Sequence, residues 1–338
     1  MTVLQREGAV MRSARLVILV LAAVLGTEVW GTSGASPPPA TAKVEHVLLI
    51  VLENQEADDV WSNPTFHEIA SHGVRFTRSS GIAHPSYPNY LALVGVHIHN
   101  TPQDWRDKQR DFADDVPSIV DRLEGKHLTW KSYVEDYPAD DRSPDKGCGA
   151  AADTPTYVRR HVPLLSFGHI QHSAERCAHV VDAKVFDADI QPGGVFPNYA
   201  FYTPNLCHDG HGNQKGCGFG TVGNDEERLT AAAAWLSKRL DTFRSANPDL
   251  AAKTLIIVTF DESDNYLPTR NEVFTVFLGD MLKPQQYDGA INHYSVLRTI
   301  EDQLGIDPVG DEASLAGPNA PLRTIWMTVA AGQKPKHM

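Results

Sequence analysis

Two stretches of the chain are apolar almost without interruption and rich in β-branched residues: 44–52 (VEHVLLIVL) and 254–260 (TLIIVTF). Runs of this kind mark strands buried on both faces, as at the centre of a parallel sheet. Shorter strands are expected at 74–77, 128–134, 198–202 and 272–278. Helical patterns lie between them, at 63–72 (closed by Gly73), 86–94 and 116–124. The longest helix is expected at 225–244, with Leu229, Ala232, Ala233, Leu236 and Leu240 on one face. A last amphipathic helix, 293–304, places Val296, Leu297, Ile300 and Leu304 inward. Residues 137–195 show neither period and are rich in Asp, His, Pro and Gly, so they read as an irregular insertion. Alternation of strand and helix predicts a three-layer α/β/α sandwich with a mainly parallel sheet, a single domain over 44–338.

The N-terminal residues carry a different pattern. Arg12 and Arg15 precede a short apolar run at 16–26, and small residues follow up to Ala35. This is the layout of a secretory signal peptide over 1–35. The run is too short for the roughly 20 residues that cross a bilayer, which disfavours the alternative of an uncleaved anchor. A Pro-rich spacer occupies 36–43. No other stretch is long and apolar enough to span a membrane, and the mature protein is expected outside the cell.

Composition is that of a globular protein, with 42% hydrophobic and 21% charged residues among 338. Thirty basic residues against 42 acidic ones give a net charge of −12. That excess argues against nucleic acid as a partner and against electrostatic attachment to anionic lipid. An anionic small substrate would need local help, such as a metal ion. Export changes the reading of the four cysteines, which become disulfide candidates. Sequence neighbours favour Cys148–Cys177 and Cys207–Cys217, one of three connectivities. The competing reading is a zinc site from Cys207, His208, His211 and Cys217, whose spacing is unlike that of usual structural zinc sites.

In sheets of this class ligands bind beyond the carboxyl ends of the strands. Glu53-Asn54 follows the first apolar run, and Asp261-Glu262, with Asp264, follows the second. Carboxylates gathered there from distant parts of the chain repel unless a cation lies between them, although polar residues also simply mark where strands reach solvent. Ser86, in His84-Pro-Ser-Tyr-Pro-Asn-Tyr90, has N-cap as its ordinary role, with Pro88 tolerated in the first turn. Beside a metal and a helix N-terminus it could instead ionise and attack phosphorus. Asp209 and His211 follow another strand and could bind metal, contact phosphate or move protons. His161 reads by default as structural, and His293, at the start of a helix, as solvated or capping. Arg160 could neutralise phosphate oxygens. The acidic tract 104–115 reads as a solvated loop.

The ordered set is Leu52-Glu-Asn54, His84-Pro-Ser-Tyr-Pro-Asn-Tyr90, Tyr157-Val-Arg-Arg-His-Val-Pro163, Pro204-Asn-Leu-Cys-His-Asp-Gly-His211, Thr259-Phe-Asp-Glu-Ser-Asp264 and His293-Tyr-Ser-Val-Leu-Arg-Thr-Ile-Glu301. It resembles the bacterial phosphoesterase family of secreted acid phosphatases and phospholipases C, with an alkaline-phosphatase-like fold, over about 44–326. The likeness is nearest to the short secreted acid phosphatases. It implies that Glu53, Asn54, Asp261 and Glu262 hold a divalent metal ion, with Ser86 as both ligand and nucleophile. His161, Asp209 and His211 would line a phosphate pocket, with Arg160 and His208 as further substrate contacts and His211 and His161 in catalytic roles. Two departures stand out: the family usually has Asn-Asp-Met-His where this chain has His208-Asp-Gly-His211, and often Asp at the position of Glu262.

The expected chemistry is hydrolysis of phosphate monoesters in two in-line steps through a phosphoserine. The main alternative is a phospholipase C-type phosphodiesterase acting on a phospholipid headgroup, disfavoured because the family's phospholipases are longer. A sulfatase is disfavoured because Ser86-Tyr-Pro-Asn-Tyr90 lacks the arginine of that motif. A non-catalytic binding protein would require a degenerate metal site, yet every expected ligand position carries an oxygen donor.

Overall fold

The computed structural model describes residues 43–97, 111–139, 148, 152–212, 217, 224–264, 271–309 and 319–327. The expected signal peptide, the spacer except Lys43, and residues 104–110 of the acidic tract lie outside them.

The strands are β1 (His46–Leu52), β2 (Val74–Phe76), β3 (Ser79–Ser80), β4 (Trp130–Val134), β5 (Val180–Asp182), β6 (Tyr199–Thr203), β7 (Thr254–Phe260), β8 (Thr275–Leu278), β9 (Gln285–Tyr287) and β10 (Ile291–Asn292). The helices are α1 (Ala57–Ser62), α2 (Pro64–Ser71), α3 (Tyr87–Ala92), α4 (Ile119–Gly125), α5 (Gly168–Gln171), α6 (Ala174–Cys177), α7 (Phe186–Asp189), α8 (Asp225–Ala246), α9 (Pro248–Ala251) and α10 (His293–Leu304). The main sheet runs β5-β4-β6-β1-β7-β8-β2-β9, while β3 and β10 form a separate two-stranded sheet. Its pairings are parallel except on the two sides of β8, which runs against β7 and β2.

Alternation along the central strands divides the interior into two cores. Val47, Leu49 and Val51 of β1 pack with Ile119 and Leu123 of α4 and Val296 and Ile300 of α10. Leu48, Ile50 and Leu52 face the other way, toward Phe66 of α2 and Leu229, Leu236 and Leu240 of α8. Both faces of β1 are therefore buried, which is why its sequence shows no polar alternation. The three-layer α/β/α expectation holds.

Local signals close the elements. Asn63 Oδ1 accepts from the N–H groups of Thr65 (3.0 Å) and Phe66 (3.2 Å) at the start of α2. Asn224 caps α8 through the Glu227 N–H (2.9 Å). Asn292 and Ser295 form a reciprocal box at the start of α10, and Gly305 ends that helix in the left-handed region.

Two expectations need correction. Residues 137–195 are not irregular throughout: they hold α5, α6, α7 and β5, an edge strand parallel to β4. Pieces of three or four residues are too short to show a period. The strand expected at 272–278 begins at Thr275 and runs antiparallel, a direction that residue pattern does not encode.

Both expected disulfides are present, Cys148–Cys177 and Cys207–Cys217. The second consumes the thiols that the zinc alternative required. Cys148–Cys177 closes a loop of 29 residues. Loop-closure entropy then predicts that Cys148→Ser with Cys177→Ser costs about 3–4 kcal/mol, readable by urea denaturation. Among the described residues, no helix is long and apolar enough to cross a membrane.

Candidate functional site

The parallel register of β1 and β7 sets Leu52 beside Phe260, so the residues that follow leave the sheet together. The Asp261 N–H donates to the Leu52 carbonyl (2.9 Å) and the Asn54 N–H to Asp261 Oδ1 (3.1 Å). Glu53, Asn54, Asp261 and Glu262 are all buried at this edge.

Ser86 reaches the same point through a braced loop. Asn89 Oδ1 accepts from the N–H groups of Ile82 (2.7 Å) and Ala83 (3.1 Å). Asn271 Nδ2 donates to the Ala83 carbonyl (3.1 Å), and its Oδ1 accepts from the Ser263 N–H (3.0 Å), which joins the serine loop to the Asp261 loop. The N-cap role is not realised: Ser86 is itself helical (φ −46°, ψ −50°) and makes no capping bond. Its Oγ lies instead 3.1 Å from Glu53 Oε2, 3.2 Å from Asn54 Oδ1 and 3.1 Å from Glu262 Oε1. A hydroxyl has one proton, so one of these contacts at a time is a hydrogen bond and the others set lone pairs against each other.

The carboxylates share that tension. Burial, and then the charges of Asp261 and Asp209, hold Glu53 well above the usual carboxylate range. Burial and the Glu262 charge do the same to Asp261. Burial and the Glu53 charge raise Glu262. Among the described residues, Asp261 Oδ2 and Glu53 Oε1 have no hydrogen-bond partner. Among the described residues no three His, Cys, Asp or Glu side chains close a metal shell by themselves. Asn54 and Ser86 complete the oxygen set, and such a set fits a hard divalent cation.

Beside this cluster, Glu53, Arg160, His161, Asp209, His211 and Arg228 are among the residues lining a cavity of about 380 Å³. The Asp209 loop is strapped to the end of β1: the Glu53 N–H donates to the Asp209 carbonyl (2.7 Å) and Gln55 Nε2 to the Gly210 carbonyl (2.7 Å). Gly210 has φ +103°, and a Cβ there would stand 3.3 Å from the Glu53 carbonyl, so the strap favours glycine. Asp209 Oδ1 accepts from the N–H groups of His211 (2.9 Å) and Gly212 (2.8 Å), while its buried Oδ2 has no partner among the described residues. His161 Nε2 lies 3.2 Å from Glu53 Oε1 but off hydrogen-bond alignment, so both atoms stay unsatisfied. Burial, with Arg160 and His211 nearby, pushes His161 well below the ordinary imidazole range, so it is neutral at neutral pH. His211 Nδ1 is also buried without a partner among the described residues. Arg160 is exposed at the rim and has no ion pair among the described residues.

His208, expected here, lies elsewhere. It stacks on Trp235 (5.6 Å) and helps line a separate cavity of about 530 Å³. Its Nδ1 is 2.6 Å from Glu135 Oε2, and Glu135 also accepts from Trp235 Nε1 (2.9 Å), the Tyr202 hydroxyl (3.0 Å) and the Asn205 N–H (3.1 Å). Glu135→Ala strands these donors and is expected to cost about 3 kcal/mol at pH 7. Burial raises the Glu135 carboxyl, but the hydrogen bond and charge of His208, then the Asn205 and Trp235 bonds, outweigh it and leave the group below its ordinary 4.5. A depressed folded value means that this stabilisation is present above pH 4.5 and drains as pH falls through the folded value. Urea melts at pH 7 and pH 3 should therefore show the gap between wild type and variant narrowing at the lower pH.

Four supporting residues escaped the sequence reading. Tyr90, in the serine motif, hydrogen-bonds Glu53 and stacks on His161 (5.1 Å). His84 Nδ1 contacts Glu262 Oε2. His293 is fully buried rather than solvated, with Nε2 2.5 Å from the Asp261 carbonyl. Arg228 enters the cavity from α8, a helix that carried only packing expectations.

A sequence profile described as the phosphoesterase family matches residues 61–307. A Kluyveromyces lactis protein named "Probable acid phosphatase" is 29% identical over 273 residues, covering 80% of this chain and 60% of that protein. The phosphatidylinositol-3-phosphatase of Mycobacterium tuberculosis is 26% identical over 284 residues, covering 83% of this chain and 82% of that protein. The chain spans between 54% and 60% of the length of the fungal acid phosphatases it matches. Among solved structures, a protein in the alkaline phosphatase superfamily from Vibrio parahaemolyticus superposes with a TM-score of 0.56 at 14% identity, over 85% of this chain and 72% of that one. That likeness is one of fold.

Proposed function

We propose, from the premise that this chain belongs to the phosphoesterase family, that it is an exported, metal-dependent phosphatase that hydrolyses phosphate monoesters with Ser86 as nucleophile. The observation that carries the reading is the Ser86 hydroxyl, set among Glu53, Asn54 and Glu262 oxygens at 3.1–3.2 Å. Relatives named acid phosphatase and phosphatidylinositol-3-phosphatase favour monoesters over the diesters of a phospholipase C. The two disulfides agree with export.

Glu53, Asn54, Asp261 and Glu262 would hold the divalent cation next to Ser86. Bound there, it supplies positive charge that eases ionisation of the serine hydroxyl and charge build-up on phosphate oxygens. Ser86 Oγ attacks phosphorus in line with the ester oxygen, which departs on the far side with a proton from His211. Phosphoserine forms, and water, giving a proton back to His211, then cleaves the phosphorus–Oγ bond. Neutral His161 donates a hydrogen bond to a non-reacting phosphate oxygen, and Arg160 neutralises another. The expected helix contribution is minor, because α3 has only six residues and Ser86 lies inside its helical geometry.

Release of p-nitrophenol from p-nitrophenyl phosphate and bis-p-nitrophenyl phosphate tests the assignment. Monoester turnover should exceed diester turnover, stop on chelation and return with added divalent metal. Faster diester cleavage would favour the phosphodiesterase, and no p-nitrophenol from either ester removes the enzymatic reading.

A further inference from the structure

Arg228 stands in an unusual place for a cation. It is the fourth residue of α8, at the end where the helix dipole disfavours positive charge. It forms an ion pair with Asp225, one turn back. That pair would suit a solvated side chain, and Asp225 is indeed 59% exposed, but the Arg228 side chain is only 14% exposed. It helps line the cavity beside the Ser86 cluster, as Arg160 does from a separate element.

The charges of the site explain what a second guanidinium does there. Glu53, Asp209, Asp261 and Glu262 are four buried carboxylates. A divalent cation and Arg160 together leave one negative charge uncompensated, which repels any phosphate and a dianion most. Arg228 adds a second guanidinium to the cavity wall, with Asp225 as its own counter-charge. A guanidinium also matches phosphate in a way a point charge does not, through a planar fork of N–H donors.

Resting on the phosphatase reading above, we propose that Arg228 and Arg160 form a two-sided guanidinium clamp across the Ser86 cavity that recognises the dianionic, unesterified end of a phosphate monoester, with Arg228 setting the preference for monoesters over diesters. An interaction with the clamp scales with ligand charge. A dianionic monoester therefore gains about twice as much from Arg228 as a monoanionic diester does. The difference vanishes when the monoester takes up a proton, below its second pKa of about 6.

The test uses the metal-loaded full chain with Arg228→Gln and Arg228→Lys. At pH 7.5 or so, Arg228→Gln should raise KM for p-nitrophenyl phosphate, and the inhibition constant of inorganic phosphate, by about tenfold or more. KM for bis-p-nitrophenyl phosphate should rise by only about threefold, the square root expected for half the charge. Near pH 4.5 or so the two penalties should converge, because both esters are then monoanions. Arg228→Lys should regain most of the charge-dependent part. Equal losses on both esters at both pH values, or unchanged phosphate inhibition, would overturn the clamp. A wild type that releases no p-nitrophenol from p-nitrophenyl phosphate removes the phosphatase reading instead. Calorimetric titration of inorganic phosphate into wild type and Arg228→Gln still decides the clamp in that case: a weakening of tenfold or more supports it, and equal affinity overturns it.

Discussion

Ser86→Ala is expected to reduce kcat on p-nitrophenyl phosphate by on the order of 10⁴-fold or more, with little change in the unfolding midpoint. The two halves of the expectation come from different features. Loss of Oγ removes the atom that would bond to phosphorus; the Tyr90 hydroxyl bonds Glu53, but among the described residues no other serine or threonine hydroxyl is seen against the Glu53, Asn54 and Glu262 oxygens. The fold, by contrast, asks nothing of the hydroxyl. Ser86 makes no capping bond to α3, and its loop is held by Asn89 and Asn271. Removing a hydroxyl from among crowded oxygens also creates no unsatisfied donor. Steady-state kinetics with a thermal melt of the same sample checks both halves, and acid-quenched enzyme should carry phosphate on wild type alone. A variant with near-wild-type turnover would remove Ser86 as nucleophile.

Much of that site was legible because strand ends are legible. The runs that became β1 and β7 are apolar on both faces, so their last apolar residues, Leu52 and Phe260, mark where the chain leaves the sheet. Any polar residue that comes next stands at the ligand-binding edge of such a sheet. Glu53 and Asp261 were therefore readable as neighbours although 208 positions separate them. The helices that cover the sheet, α8 and α10, were readable from their apolar stripes for the same physical reason.

Residues that act through long-range contacts carried no such mark. His293 opens α10 among polar neighbours and reads as solvated, yet it is buried against the Asp261 carbonyl. Nothing local distinguishes a histidine whose partner lies 32 residues away. His208 sits beside Asp209 in sequence, but a loop sends successive side chains to opposite sides. His208 goes to Glu135 and Trp235, and Asp209 to the cavity. Arg228 looked like one more charged position on an exposed helix end. Its inward turn depends on the packing of α8 over the sheet, which a helical stripe predicts only for the apolar residues. β5 has three residues, too few to show alternation, and its identity rests on pairing with β4.

Asp261→Asn is expected to have opposite effects on stability with and without metal. Asp261 is fully buried, its Oδ1 accepts from the Asn54 N–H, and its Oδ2 has no partner among the described residues. Burial and the neighbouring Glu262 charge hold its carboxyl well above the usual range, which means that the ionised form is unfavourable in the metal-free fold. Asparagine keeps an oxygen for the Asn54 N–H and removes the charge. In chelator at pH 7.5 or so the variant should thus be as stable as wild type or more so, by about 1–2 kcal/mol. With divalent metal the order should reverse. A ligand at about 100 times its Kd adds roughly 2.7 kcal/mol to a protein that binds it only when folded. Wild type should gain that increment, and the variant, short of one charged ligand, only a small part of it. Monoesterase activity should fall by about 10³-fold in parallel. Melts in chelator and in excess metal, on both proteins, read the crossing directly. Equal metal-induced shifts in the two would take Asp261 out of the ligand set, whereas a variant destabilised as much in chelator as in metal would give its carboxylate a structural role instead.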